Sequence, residues 1–262
     1  MKKRSQIKTF LKRYYINYCK NKKSYYNKKN WGLKGVDMLF KAPDFFIDFL
    51  YPPACIICGK SSKTYICEKC NKRIKKYEEY HYLSRDEDNN YPIRHYDYLI
   101  YIFRYEKIIR KIMINYKFYS KPYISYFFAY KILNNKYLCE KIKEYDYIVP
   151  VPMSADKERL RGYNQTRLIT SIISKKLKIK ESNNLKKVNN ALTQGKLNKL
   201  QRMNNIEGIF YVEDNQEFVG KRVVLLDDIY TTGSTIEECA RVISESGAGE
   251  IFVIILARDF MK

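Results

Sequence analysis

Residues 223–235 read Val-Val-Leu-Leu-Asp-Asp-Ile-Tyr-Thr-Thr-Gly-Ser-Thr. The opening apolar run has no alternation, as expected of a strand buried on both faces of a parallel sheet. It stops at two adjacent acids, Asp227 and Asp228, and is followed by a loop of hydroxyls around Gly233 and then a helical pattern. Ligands of open α/β sheets bind outside the carboxyl ends of such strands, where the next loop opens a helix. Thr231, Thr232, Gly233, Ser234 and Thr235 offer hydroxyl and amide donors, and the glycine lets backbone approach a ligand closely. A helix start adds unpaired N–H groups and the positive end of its dipole, both suited to a phosphate. The two carboxylates would repel a phosphate placed on them, but they accept well from a sugar diol. Acids for hydroxyls followed by donors for phosphate describe a site for a ribose 5-phosphate. A plainer alternative has Ser234 and Thr235 capping the helix, with Glu237 and Glu238 completing a capping box. That alternative leaves Asp227 and Asp228 unexplained.

Outward from this stretch, Tyr147 to Val151 form another apolar strand, ended by Pro150 and Pro152, which cannot continue an interior ladder. Beyond the Pro152-Met153-Ser154 turn, Arg159 and Arg161 place two guanidinium forks beside Gly162, suited to bidentate phosphate contacts. Further on, Gln201-Arg202-Met203-Asn204-Asn205-Ile206 sits in a polar loop that also carries Lys196 and Lys199.

The stretch 223–235 resembles the phosphoribosyl-pyrophosphate (PRPP) signature of type I phosphoribosyltransferases, with every position acceptable. The combination of Val-Pro-Val-Pro through Arg-Gly-Tyr-Asn-Gln, then Gln-Arg-Met-Asn-Asn, then that signature resembles the ComF family, named for competence in DNA uptake. Tyr163 stands where that family more usually has phenylalanine. The resemblance covers roughly residues 45–262. It implies an α/β fold of the type I phosphoribosyltransferase kind, a parallel sheet flanked by helices with a small amino-terminal zinc module. It also implies that Asp227 and Asp228 hold the ribose hydroxyls and that residues 231–235 hold the 5-phosphate. Pro152, Met153 and Ser154 would meet the pyrophosphate, aided by Arg159, Arg161 or Arg202. PRPP would arrive with Mg²⁺, and catalysis would consist of positioning and stabilising the leaving group, with no protein nucleophile. The acceptor of the phosphoribosyl group is not written in the sequence. Three functions follow from this resemblance and the composition. One is a transferase, one a non-catalytic PRPP-binding competence factor that docks a helicase or binds single-stranded DNA, and one a nucleic-acid module with a vestigial loop.

Cys55-x2-Cys58 and Cys67-x2-Cys70 are paired thiols at the spacing of a closed tetrahedral zinc site, and Gly59 permits the turn after the first pair. Four thiolates leave no open position for catalysis, so the expected role of Zn²⁺ is structural or in docking. Cys19, Cys139 and Cys239 have no partners at ligand spacing, and His81 is not needed as a ligand.

The chain has 262 residues, enough for one sizeable α/β domain and a small satellite. Four segments are expected: a basic, loosely ordered extension at 1–44, the zinc module at 45–81, a linker at 82–91 and the phosphoribosyltransferase-like domain at 92–262. Within the extension, Ile7, Phe10, Leu11, Tyr14 and Tyr15 recur at helical spacing among lysines. No apolar run approaches the ~20 residues of a membrane span, and the start lacks the apolar core of a secretory signal, so a cytoplasmic location is expected. The net charge of +22 fits attraction to polyanions, but the abundance of Lys, Asn, Ile and Tyr equally fits AT-rich coding. A helix is expected where Tyr105, Ile108, Ile109, Ile112, Met113 and Tyr116 share a face, with Lys107, Arg110, Lys111 and Lys117 off it. A second helix should follow Pro122. Core strands are expected at 146–151, 185–188, 222–227 and 250–257, with helices near 164–177 and 235–246.

Overall fold

The computed structural model describes residues 55–62, 66–84, 94–119, 121–188 and 208–260. All lie in one compact unit, Pro52–Lys262. The amphipathic reading of residues 1–44 and the Gln201–Ile206 loop, with Arg202, Lys196 and Lys199, fall outside the described residues.

In chain order the helices are α1 (Glu68–Ile74), α2 (Lys107–Phe118), α3 (Ile124–Leu133), α4 (Lys136–Lys143), α5 (Ala155–Arg161), α6 (Gln165–Leu177) and α7 (Ser234–Glu245). The strands are β1 (Glu78–Ser84), β2 (Tyr98–Arg104), β3 (Tyr147–Pro150), β4 (Lys180–Glu181), β5 (Leu185–Lys187), β6 (Phe210–Val212), β7 (Arg222–Tyr230) and β8 (Glu250–Arg258). Six strands form one sheet in the order β1-β2-β8-β7-β3-β4, and β5 and β6 make a separate antiparallel pair. Every pairing in the large sheet is parallel except that of β1 with β2.

Strand alternation gives the sheet two apolar faces. Val223 and Leu225 of β7 pack with Ile236, Cys239, Ala240 and Ile243 of α7, together with Val149, Val253 and Ile255. Val224 and Leu226 face the other way, into a larger cluster built by α2, α3, α4 and α6 with Ile148, Phe252 and Ile254. The near-continuous burial of β7 and β8 is what their unalternated sequences require. From β3 the chain runs through α6 outward to β4, whereas from β7 it runs through α7 in the opposite direction to β8. The sheet therefore has its topological switch between β3 and β7, where a crevice opens at the carboxyl ends of the strands.

Several expectations change. Residues 185–187 do form a strand, but it pairs with β6 outside the main sheet, because Lys186 and Lys187 interrupt the apolar run a central strand needs. The sheet instead gains β2, Tyr98–Arg104, which is absent from the expected core strands. β1 takes in Tyr82–Ser84, at the start of the span read as a linker; its alternating polar residues suit an edge strand. The expected helices are present, with α2 beginning at Lys107. Among the described residues no helix is long and apolar enough to cross a membrane.

The four-cysteine segment does not stand apart from this architecture. Cys55, Ile56, Ile57, Cys70 and Ile74 belong to the same buried cluster as α2, α3 and the sheet. The small module thereby shares a core with its neighbour.

Candidate functional site

β3 and β7 lie side by side in register, with Pro150 opposite Leu226, and the Val151 amide donates to the Leu226 carbonyl at 3.0 Å. The turn Pro152–Ser154 after β3 therefore begins beside Asp227 and Asp228, which lie within β7 where it outruns β3 and stays paired with β8 as far as Tyr230. Ser154 then opens α5 without a side-chain cap. Asn164 holds the turn from behind: its Nδ2 donates to the Val151 carbonyl at 3.2 Å while its Oδ1 accepts from the Thr166 and Arg167 amides to cap α6. The Thr166 hydroxyl donates to the same Val151 carbonyl at 2.9 Å. The Gly-Tyr-Asn-Gln-Thr stretch thus fixes the backbone of the strand end rather than reaching into the crevice.

On β7 the two adjacent acids meet different surroundings. Asp227 is buried, its Oδ1 accepts from the Asp228 amide at 2.7 Å, and its charge acts on the buried Cys239 thiol of α7. Burial first, and the neighbouring Asp228 charge second, push its carboxyl up to about 7. Lys117 and Lys187 act against that rise. Asp228 accepts from Lys117 Nζ at 2.8 Å. Lys187, on β5, is drawn below its ordinary value by burial and by the charge of Lys157.

The hydroxyl loop has the form that its composition suggests. Gly233 has φ +81°, and a Cβ there would overlap the Tyr230 hydroxyl and ring, so both conformation and space require glycine. Thr232 Oγ1 and Ser234 Oγ lie 2.9 Å apart on the exposed side of the loop. The capping-box alternative fails: α7 begins at Gly233 with no side-chain cap. Glu237 instead accepts from the His95 amide at 2.8 Å, and Glu238 from the Gly208 amide at 2.6 Å and from Arg241. The Ser234 amide donates only at 3.5 Å to Thr232 Oγ1, and the N-cap Gly233 offers no side chain, so the start of α7 near Asp227 and Asp228 is suited to phosphate.

Arg159 and Arg161 are each engaged by a local partner. Arg159 is exposed and pairs with Asp156 at 3.3 Å, while Arg161 donates to Gln165 Oε1 at 3.1 Å and lies 5.3 Å over the Phe118 ring. Arg202 is outside the described residues. Lys117 and Lys187 escaped the sequence reading: one lies on a helix 111 positions from Asp228, the other in a strand mistaken for part of the main sheet. The only sequence signal for Lys117 was its place off the apolar face of α2.

The sulfurs of Cys55, Cys58, Cys67 and Cys70 all lie within 4.8 Å of one another. Cys58 and Cys67 sulfurs are 3.8 Å apart, the edge of a tetrahedron with metal–sulfur bonds of about 2.3 Å. Gly59, at φ +72°, returns its amide to the Cys55 carbonyl at 2.8 Å and so closes the first knuckle. The donor set, four thiols with nothing left open, suits structural zinc.

Comparison with known proteins agrees with the zinc site. Residues 46–81 match the double zinc ribbon domain. Competence protein F of Haemophilus influenzae is 29% identical over 220 residues, which covers 78% of this chain and 96% of that protein. Competence protein ComFC of Bacillus subtilis is 34% identical over 100 residues, 38% of this chain and 39% of that protein. A glutamine PRPP amidotransferase from B. subtilis is a loose structural likeness, with a TM-score of 0.35 and 18% identity over 52% of this chain and 26% of that one. With a zinc ribbon ahead of a mostly parallel α/β sheet, the chain is similar to competence protein F over nearly that protein's full length, and to competence protein ComFC over part of its own.

Proposed function

We propose that the crevice between β3 and β7 binds PRPP with Mg²⁺ and that the protein transfers the phosphoribosyl group to a nitrogen acceptor, releasing pyrophosphate, within a cytoplasmic role in DNA uptake. The observation that carries this reading is the meeting of three features at one switch point. These are the acid pair at the end of β7, the uncapped start of α7 reached through Gly233, and the turn 152–154 at the end of β3. Asp227 and Asp228 accept from the ribose hydroxyls. Residues Thr231, Thr232, Gly233, Ser234 and Thr235 surround the 5-phosphate. Pro152, Met153 and Ser154 border the pyrophosphate. Carboxylates and substrate phosphates are the oxygen donors Mg²⁺ prefers, and when bound it neutralises charge on the leaving group. The chain's own contribution is orientation and electrostatic complementarity to separating charge, and no nucleophile is required.

A second reading, a PRPP-binding competence factor without turnover, is favoured by one observation: Arg159 and Arg161 are each held by a local partner. In that reading the zinc module docks a helicase partner, or the basic chain engages single-stranded DNA. Calorimetric titration with Mg²⁺ and PRPP, beside an Asp227→Asn/Asp228→Asn control, tests the site. Heat of binding that the control loses is expected, and equal binding by both proteins would defeat either reading. Pyrophosphate release on screening purine, pyrimidine and amine acceptors then separates them, since binding without release selects the second.

A further inference from the structure

Three consecutive residues in the last turn of α2 contact the segments that end β7 and lead into α6. Tyr116 is fully buried, its hydroxyl donates to the Gln165 carbonyl at 2.8 Å, and its ring stacks on Tyr163 at 5.8 Å. Its own carbonyl accepts from the Tyr163 hydroxyl at 2.5 Å. Lys117 reaches Asp228, and Phe118 lies under the Arg161 guanidinium. The segment that carries Lys117 is therefore clamped between the end of β7 and the start of α6, on the side of the crevice that follows β3.

The pair itself is unusual for a merely structural bond. The Lys117 and Asp228 side chains are only 19% and 16% exposed, and enclosed ion pairs return little stability beyond their desolvation cost. Its position explains it better. In the PRPP reading two adjacent carboxylates meet a polyanionic ligand, and an ammonium bonded to Asp228, whose charge also acts on Asp227, offsets that repulsion. The ammonium has three donors and gives one to Asp228, so it can turn to another acceptor without leaving its place.

We propose that Lys117 is an exchangeable counter-ion of the crevice: it neutralises Asp228 until a ribose diol engages that carboxylate, and its ammonium then serves the diphosphate of PRPP. This rests on the reading of the crevice as a PRPP site and assigns it a cation that no motif contains. It predicts different behaviour toward two ligands, one with and one without the diphosphate.

The test titrates Mg²⁺-PRPP and ribose 5-phosphate separately into the wild-type protein, Lys117→Met and Lys117→Arg. Lys117→Met should weaken PRPP binding about tenfold or more, the scale of one lost charged hydrogen bond. It should leave ribose 5-phosphate binding unchanged or tighter, because Asp228 no longer has to surrender a partner. Lys117→Arg should restore most of the PRPP affinity. Lys117→Gln, whose amide still donates to Asp228 without the charge, keeps the test open if the methionine variant does not fold. Equal weakening toward both ligands, or no change toward PRPP, would overturn the proposal while leaving the PRPP reading intact. A wild-type protein that binds neither ligand would overturn that reading and this inference together.

Discussion

Asp227 illustrates how one residue couples stability to function. Its carboxyl is raised to about 7, whereas in an unfolded chain an aspartate titrates near 4. The folded state therefore holds the proton more tightly, and this residue's contribution to stability is lost as pH rises from about 4 to about 7. Asp227→Asn is neutral throughout and escapes that loss. Melting curves recorded from pH about 5 to about 8 should show the variant's Tm gaining on the wild type as pH rises, while PRPP binding is lost at every pH. A Tm difference constant with pH would mean that Asp227 is ionised across the whole range. Gly233 is the other residue with no substitute. Gly233→Ala combines a left-handed backbone with a clash against Tyr230 and should cost about 1–3 kcal/mol in urea denaturation, and abolish PRPP binding.

At the level of elements, the site depends on how strands end. β3 ends opposite Leu226 while β7 runs on to Tyr230, so the 152–154 turn emerges beside Asp227 and Asp228, and the reversal of winding there keeps either crossover helix from covering the gap. Asn164 joins two elements, capping α6 and tethering the Val151 carbonyl at the end of β3. Asn164→Ala should lower stability by about 0.5–2 kcal/mol and also weaken PRPP binding, since the 152–154 turn loses its anchor. Stability loss with unchanged PRPP affinity, measured by denaturation and calorimetry, would reduce Asn164 to a helix cap. The positions of β3, α6, β7, α7 and β8 were legible because each has the period or the unbroken apolar run of its type. β5 was misplaced because a short run ending in two lysines gives no sign of which strand it pairs with.

For the molecule as a whole, the zinc knuckles and the sheet share a core. Ile56, Ile57 and Ile74 pack into the cluster that also contains Ile109, Ile112 and Phe128. Removal of zinc should therefore destabilise the entire Pro52–Lys262 unit rather than release an independent finger. In calorimetric melting, chelation or Cys55→Ser/Cys58→Ser should lower the main transition, with zinc content followed by atomic absorption. An unshifted main transition beside a lost small one would show the knuckles to be energetically separate.

The sequence by itself determined the ligands of the zinc site and the loop that ends β7, because each is a short contiguous constellation whose chemistry depends on spacing along the chain. It also determined the α/β class, through apolar runs long enough to identify buried strands. Only the tertiary structure decided which lysine meets which acid, that the sheet contains β1 and β2, and which local partners Arg159 and Arg161 engage. Lys117 and Asp228 are 111 residues apart, and no local pattern encodes their meeting. That contact is set by the packing of α2 against the sheet and α6, a property of the whole core rather than of any segment.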